Sequence, residues 1–347
     1  MPRAVSASSP GNLAAIAFAC FAAGTRITTA DGATLVEKLQ PGDLVRTASN
    51  ALRPVRWIAH RHVNLGRHPR PQDVTPIRIA PHSFGRDLPH TALAISPDHA
   101  VFADGVLVPA RYLVNGTTIA RDARDKVTWY HVELADDDGA AVHDIILAEG
   151  LPTESYLDTG NRAAFANGGP AVDLHPDFAR RAAEATWQTQ ACAQLVVEGP
   201  ELVAVRSWLL HCAAELGYRV TANPDVRLVI DGRPAVVTAH GQWLNIVIRS
   251  GAQTLSVDSR TTIPAESDEA ASDTRVLGVA VAGLRFNGDA AGLGHPRFKL
   301  GWHAPEPNLR WTRGTATLDI TGLDRVGLAL VGALGYWDEG RLLAQSA

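Results

Sequence analysis

The sequence predicts a mainly β protein with two folded domains. Short apolar segments alternate with glycine, proline and aspartate between residues 25 and 156, and this pattern returns after residue 219. Helical spacing of apolar residues is confined to residues 176–190 and 202–216. A chain of 347 residues is also longer than an ordinary single domain, which supports the division.

The first half contains strand candidates separated by turn signals. Glycine adopts the positive φ that tight hairpin turns require, and Asp-Gly or Asn-Gly pairs occur at residues 31–32, 104–105, 115–116 and 138–139. The expected strands are residues 25–29, 44–47, 55–59, 77–80, 93–96, 106–108, 128–134 and 144–148. The segment shows no amphipathic helical pattern of convincing length, so this half is predicted to be all-β.

The second half begins with a polar linker and helices before strands return. The helical spacing of residues 202–216 ends at Gly217, a stop signal. The strands expected beyond it are residues 227–230, 235–239, 244–249, 254–258, 276–282, 315–320 and 326–331. We predict a leader at 1–19, an all-β domain at 20–158, a linker and helical segment at 159–189, and a mainly β domain at 190–347. The last domain is predicted to be a sandwich with one or two helices at its start.

Composition excludes several classes of function. The formal net charge is -4, so nothing indicates a nucleic acid or an anionic membrane surface as a partner. No apolar run approaches the ~18 residues of a transmembrane segment. The leader has a short apolar run at residues 13–19 but a single basic residue, Arg3, which is weak for a signal peptide. We assign the cytoplasm by default, with secretion as the alternative.

The chain has three cysteines, Cys20, Cys192 and Cys212. Their odd number and wide spacing do not form a disulfide framework, and no two have the spacing of metal ligands. Cys192 and Cys212 lie in apolar, helical surroundings and are expected to be buried packing residues. We predict no metal and no cofactor.

Two segments carry candidate chemistry. Cys20 lies at the very start of the first β domain, an unusual place for a packing cysteine. Further along, Ser96-Pro97-Asp98-His99 follows an extended segment. The hydroxyl of Ser96 and the imidazole of His99 lie three residues apart across one turn, so both can contact a single backbone peptide. Taken alone, such a segment is more often an ordinary turn.

Residues 20–25 have the sequence Cys-Phe-Ala-Ala-Gly-Thr, residues 41–43 have Pro-Gly-Asp, and the Ser-Pro-Asp-His turn follows. With two later segments, these motifs in order resemble Hint domains, the self-processing modules of Hedgehog proteins and inteins. Residues 129–134 (Trp-Tyr-His-Val-Glu-Leu) and 143–151 (His-Asp-Ile-Ile-Leu-Ala-Glu-Gly-Leu) are similar to the last two Hint strands. The resemblance covers residues 20–156 and is closest to bacterial Hint proteins outside true inteins.

This resemblance implies a mechanism. Cys20 Sγ attacks the carbonyl of Ala19, and the Ala19–Cys20 peptide becomes a thioester by an N-to-S acyl shift. His99 moves the proton from the thiol to the amide nitrogen, and Ser96 hydrogen-bonds the same peptide in an oxyanion-type role. Further candidate site residues that align with polar positions of the closing strands are His131 and His143.

One departure from the family limits the reaction. True inteins end in His-Asn followed by a nucleophile, whereas Glu154 and Ser155 are the corresponding residues here. Without an asparagine to cyclise, full splicing is not expected. A Hedgehog-like outcome fits better, in which the leader is the substrate and water or a small nucleophile is the acyl acceptor.

Three functions stay open. The first is self-processing in cis, and the second is a catalytically silent Hint fold that works as a binding or structural protein through its C-terminal domain. The third is a trans-acting cysteine hydrolase with a Cys20–His99 dyad, which is disfavoured because the preceding peptide is the nearest electrophile. For the C-terminal domain, carbohydrate is the candidate partner, with Trp302 and Trp311 stacking on sugar rings. The alternative is that these rings fill the sandwich core.

Overall fold

The computed structural model describes residues 19–170, 176–269, 271–332 and 335–338, and for residues 176–180 the backbone alone. Apart from Ala19, the predicted leader therefore lies outside the described residues. The chain divides into two compact units, Met1–Leu216 and Gly217–Ala347.

The first unit combines short strands with two helices. Its strands are β1 (Phe21–Ala22), β2 (Arg26–Thr29), β3 (Gly32–Leu35), β4 (Leu44–Arg46), β5 (Leu52–Asn64), β6 (Ile77–Ile79), β7 (Leu93–Ile95), β8 (Ala100–Ala103), β9 (Val106–Pro109), β10 (Ile119–Arg121), β11 (Lys126–Ala135), β12 (Ala141–Val142), β13 (Ile145–Ala148), β14 (Leu151–Glu154) and β15 (Gln194–Leu195). Its helices are α1 (Pro176–Gln190) and α2 (Pro200–Glu215). Short 3₁₀ turns occupy Val36–Lys38, Leu65–Arg67, Pro71–Asp73, Ala110–Tyr112 and Arg162–Ala164.

Two long strands organise the sheet of the first unit. β5 has 13 residues and pairs antiparallel with most of β11. β1 lies between β11 and β7, where Phe21 is opposite Tyr130 on one side and Ile95 on the other. At another part of the sheet, β13 pairs with β14, which pairs in turn with β8. The mainly β fold predicted from the sequence is confirmed.

The core of this unit collects the apolar side chains of these strands. Phe21, Ile95 and Ile146 are each 0% exposed within it. The hairpin between β8 and β9 turns at Asp104 and Gly105, whose φ angles are 48° and 79°. Both angles are positive, as the tight turn predicted from the Asp-Gly pair requires.

Both long helices belong to the first unit, which extends to Leu216. β15 follows α1 and pairs in parallel with β9. α2 then buries Leu202, Val205 and Leu209 in the core of the first unit. It ends just before Gly217, whose φ of 93° is typical of a helix stop. The boundary falls after Leu216 because the apolar face of α2 packs on strands of the first unit.

The second unit consists of two main antiparallel sheets. Its elements are β16 (Val220–Thr221), β17 (Arg227–Ile230), β18 (Arg233–Pro234), β19 (Val237–His240), β20 (Trp243–Val247), β21 (Thr254–Asp258), α3 (Pro264–Ser267), β22 (Ala280–Phe286), β23 (Asp289–Ala291), β24 (Arg310–Trp311), β25 (Thr315–Asp319), β26 (Arg325–Val331) and β27 (Tyr336–Trp337). One sheet has the order β18-β17-β21-β25, the other β19-β20-β26-β22-β23 with β24 beside β22. Leu255 and Leu318 from the first sheet share a core with Ile246 and Leu328 from the second. Two sheets over one core form the predicted sandwich.

Candidate active site

Strand pairing brings Cys20 and Ser96 together. These residues adjoin β1 and β7, which pair at Phe21 and Ile95. The Cys20 N–H donates a hydrogen bond to Ser96 Oγ at 2.8 Å, and the Ser96 N–H donates to the Cys20 carbonyl oxygen at 2.8 Å. The nitrogen of Cys20 belongs to the Ala19–Cys20 peptide. Ser96 thus contacts this peptide at its nitrogen.

The turn from Ser96 to His99 is held from both sides. The His99 N–H donates to the Ser96 carbonyl at 3.1 Å, and the Arg111 N–H donates to the Pro97 carbonyl at 2.9 Å. The carboxylate of Asp98 forms an ion pair with Arg111 at 2.5 Å. These contacts fix the backbone that carries the imidazole of His99.

The imidazole of His99 is completely buried. Its ring centroid lies 4.2 Å from that of Phe21, and neither ring nitrogen makes a hydrogen bond of normal geometry among the described residues. Burial lowers the pKa of His99 to about 4, and the nearby Glu154 and the Cys20 backbone oppose this shift only in part. The ring is therefore neutral at pH 7 and has a nitrogen lone pair available to accept a proton.

His131, on β11, lies beside the imidazole of His99. Its ring centroid lies 5.1 Å from that of His99 and 5.2 Å from that of Tyr156. The side chain is buried and its Nδ1 has no hydrogen-bond partner in the described part of the chain. Burial, with smaller contributions from His99 and His143, lowers the pKa of His131 well below 6.5. Two neutral imidazoles thus lie together.

Glu154 is a buried carboxylate that sequence reasoning did not assign to the site. Its Oε1 accepts the N–H of Ala100 at 2.6 Å, and its Oε2 lies 3.5 Å from His143 Nε2. The pairing of β14 with β8 brings it beside the strand that follows His99. Its signal in the sequence is weak, because β14 has the sequence Leu-Pro-Thr-Glu and the burial of Glu154 follows from the pairing of β14 with β8.

His143 is held between Glu154 and Cys192. The Cys192 N–H donates to His143 Nδ1 at 3.1 Å. Burial would lower the pKa of His143, but the contacts with Cys192 and the Glu154 carboxylate outweigh it and raise the pKa to about 9. Cys192 itself is exposed, so the expectation that it is a buried packing residue is wrong, whereas Cys212 is buried as expected. Cys192 lies in the loop between α1 and β15 and is not part of a helix, whereas Cys212 lies on α2.

The thiol of Cys20 is 1% exposed. Burial raises its pKa strongly, Arg61 lowers it, and the carboxylates of Glu154 and Asp98 raise it further. The resting thiol is therefore protonated at pH 7, and a base must remove its proton when it reacts.

Residues 19–160 match the family model of the Hint domain. The match covers less than half of the chain and includes Cys20, Ser96, His99, His131, His143 and Glu154. The segment is a Hint domain.

Several solved structures resemble the Hint domain at low sequence identity. The intein-like domain from Clostridium thermocellum is 17% identical, with 40% of this chain and 99% of that chain covered and a TM-score of 0.29. The MchDnaB-1 intein is 17% identical over 38% and 98%, with a TM-score of 0.28. The gp41-1 intein is 14% identical over 39% and 98%, with a TM-score of 0.28. No curated protein matches the chain significantly.

Among the residues that the structure describes, no group of three or more His, Cys, Asp or Glu side chains could hold a metal ion. No helix among the residues that the structure describes is long and apolar enough to cross a membrane.

The two candidate tryptophans of the second unit differ in exposure. Trp302 is 8% exposed, packs edge-on against Phe298 with ring centroids 4.8 Å apart, and donates its Nε1–H to the Thr317 carbonyl at 2.8 Å. It therefore belongs to the sandwich core. Trp311 is partly exposed and lines a cavity of about 440 Å³ together with Arg275 and Glu306.

Proposed function

We propose that the Hint domain cleaves its own Ala19–Cys20 peptide bond. Cys20 Sγ attacks the Ala19 carbonyl carbon, a C–S bond forms, and the C–N bond to Cys20 breaks. The thiol proton ends on the released amine of Cys20, so the N-to-S shift is balanced without any further reagent. Water or a small nucleophile then attacks the thioester and releases residues 1–19.

The observation that carries this proposal is the contact of Ser96 Oγ with the Cys20 nitrogen at 2.8 Å. The sulfur belongs to Cys20, and the peptide bond that it attacks joins Ala19 to the same residue. The sulfur and the bond are therefore held at very high effective concentration. Ser96 fixes the nitrogen that must leave. Any buried N–H needs a partner, and here the partner is a hydroxyl that can also donate to the nitrogen once it becomes an amine.

Proton transfer follows from the two shifted pKa values. Burial raises the pKa of Cys20 and lowers that of His99 to about 4, so the resting pair is a neutral thiol beside a neutral imidazole. A free thiolate does not accumulate in such a site. The proton must move to the imidazole as sulfur attacks, and then to the departing nitrogen.

Cleavage is favoured over splicing at the other end of the domain. Ser155 Oγ accepts the N–H of Asp144 at 3.0 Å, and Glu154 Oε1 accepts that of Ala100 at 2.6 Å. Neither side chain carries an amide that can cyclise. Ala19 is partly exposed, and we take the acyl acceptor to be water or a small nucleophile from solvent.

Intact-mass spectrometry tests the proposal on the full chain with a small folded tag before Met1. We expect release of the tag with residues 1–19, acceleration by dithiothreitol or hydroxylamine, and no release in Cys20→Ala. Cys212→Ala is the matched control, since it removes a buried thiol of the same unit that lies on α2. A fusion that stays whole under all conditions would contradict self-processing and favour a silent Hint fold with a binding role.

A further inference from the structure

Another part of the chain meets β11 at the point where β1 begins. β1 pairs with β11 through Phe21 opposite Tyr130, and the same register continued by two residues would place Ala19 opposite Val132. The Val132 carbonyl instead accepts the N–H of Tyr156 at 2.7 Å. Ala19 itself is not part of a strand.

The Val132 carbonyl lies on the side of β11 that faces β1. Successive carbonyls of a strand point to opposite sides, so those of Thr128 and Val132, four residues apart, point the same way. The Thr128 carbonyl accepts the N–H of Ala23, which directly follows β1. Tyr156 therefore takes the place in the ladder that Ala19 would occupy, and the peptide before β1 leaves β11 there.

Residues 155–167, here called the strap, continue from this point across one face of β11 and β5. The Tyr156 ring packs edge-on against His131 and Trp57, with ring centroids 5.2 and 5.5 Å apart. Directly opposite residues of paired strands have their side chains on one face, and the continued register puts Cys20 opposite His131. Cys20 and Tyr156 accordingly belong to the same buried cluster.

A buried carboxylate fastens the strap. Glu133 is 1% exposed and pairs with two guanidinium groups, that of Arg56 at 3.0 Å and that of Arg162, which lies in the strap. The guanidinium of Arg162 also stacks over the Trp57 ring, 4.1 Å from its centroid. A buried charge is costly without its partners, so this pairing holds the strap against β5 and β11. Arg162 lies just beyond the residues that match the Hint family model.

We propose that Tyr156 and Arg162 are positioning residues for self-processing, an inference that rests on the proposed function. Tyr156 keeps the Ala19–Cys20 peptide out of the β11 ladder. Arg162 fixes Tyr156 in place by fastening the strap to Glu133. A carbonyl within a ladder is hydrogen-bonded and has a strand beside it, whereas the sulfur and the acyl acceptor must both approach the Ala19 carbonyl.

The kinetics of tag release test this role in the tagged full chain. The rate constant at saturating dithiothreitol measures the acyl shift itself. Arg162→Ala should lower it at least about tenfold, because small misplacements of reacting groups cost one to two orders of magnitude. Arg56→Ala is the matched control, since it removes the other partner of Glu133 and leaves the strap fastened, and it should keep the rate. Arg162→Lys retains the charge and should recover part of the rate.

Amide hydrogen exchange measures the strap without self-processing. In the full chain carrying Cys20→Ala, the peptide that contains Tyr156 should exchange slowly. Its exchange should be at least about tenfold faster with Arg162→Ala added, and unchanged with Arg56→Ala added. Fast exchange in the Cys20→Ala chain would overturn the inference, as would equal effects of the two arginine variants on exchange or on the saturating rate.

Failure of this inference can be told apart from failure of the proposed function. If the unaltered tagged chain releases no tag, self-processing fails and the positioning role fails with it. If Arg162→Ala releases the tag at the unaltered saturating rate, the positioning role alone fails. Should circular dichroism show that Arg162→Ala is unfolded, Asn167→Ala decides in its place. The exposed Asn167 donates its Nδ2–H to the Ile58 carbonyl at 2.8 Å, so its loss should loosen the strap in the same direction.

Discussion

Replacing Ser96 with alanine removes the hydroxyl that accepts a hydrogen bond from the Cys20 nitrogen. The hydrogen bond is 2.8 Å long, and Cys20 and Ser96 are 1% and 3% exposed, so water cannot take the place of the hydroxyl. A buried N–H left without a partner costs about 1–3 kcal/mol. We expect the free energy of unfolding of the first unit to fall by this amount, with a loss of about 2–4 °C in melting temperature for each kcal/mol.

The same substitution should slow cleavage. When the C–N bond breaks, the nitrogen changes from an amide donor to an amine that accepts, and the Ser96 O–H can donate to it. Alanine cannot. If the transition state loses the same ~1–3 kcal/mol, the rate falls by about 5- to 150-fold, since each 1.36 kcal/mol is tenfold.

The assay is the first-order rate of tag release in the presence of dithiothreitol, measured beside thermal unfolding. Ser83→Ala is the matched control because Ser83 is also buried and its Oγ donates to the Ala80 carbonyl at 2.6 Å, away from the site. It should lose stability and keep the rate. Ser96→Thr keeps the hydroxyl and should retain most of the activity. A Ser96→Ala variant that cleaves as fast as Ser83→Ala would refute the reasoning.

Three further predictions concern acid stability, the buried ion pair and the sandwich core. The pKa of His99 is lowered from 6.5 to about 4 in the native site. Between these two pH values His99 binds a proton in the unfolded chain but not in the native one. The free energy of unfolding of the first unit should therefore fall by up to ~3 kcal/mol as pH drops from 6.5 to 4, and urea titrations of His99→Gln should lack this part of the slope. Glu154→Gln removes the carboxylate but keeps an acceptor for Ala100, so NMR titration should show the pKa of His143 moving from about 9 toward 6.5; an unchanged midpoint would contradict the assigned pairing. Trp302→Ala should cost the second unit about 3–5 kcal/mol in urea unfolding, and the partly exposed Trp311 should cost less on the same change.

Much of the site could be predicted because its residues lie in local motifs. Cys20 opens the first strand, and Ser96 and His99 share one turn, so each can be found in a local motif. That the turn meets the Cys20 peptide was implied by the resemblance to Hint domains, because Cys20 and Ser96 are 76 residues apart and meet through the pairing of β1 with β7. The Asp104–Gly105 turn was predictable for the same reason, since a short sequence determines its backbone angles.

Residues that enter the site through non-local pairing could not be assigned in this way. Glu154 meets Ala100 only because β14 pairs with β8, a register that no short motif records. Cys192 lies 49 residues from His143, and its exposure depends on where α1 ends. The apolar spacing of α2 likewise predicts a helix but does not say which core the helix covers.

Burial gives the site both its stability and its main chemical constraint. It keeps the Cys20 thiol protonated and His99 neutral, so bond rearrangement has to pass through concerted proton transfer and not through a stored thiolate. In the proposed self-processing, the thioester and the amide interconvert, and the amide is favoured unless the thioester is consumed. Because Ala19 is the partly exposed side of that bond, consumption depends on the nucleophile that reaches its carbonyl from solvent. We therefore expect the overall rate to rise with the concentration of added thiol until the acyl shift itself becomes limiting.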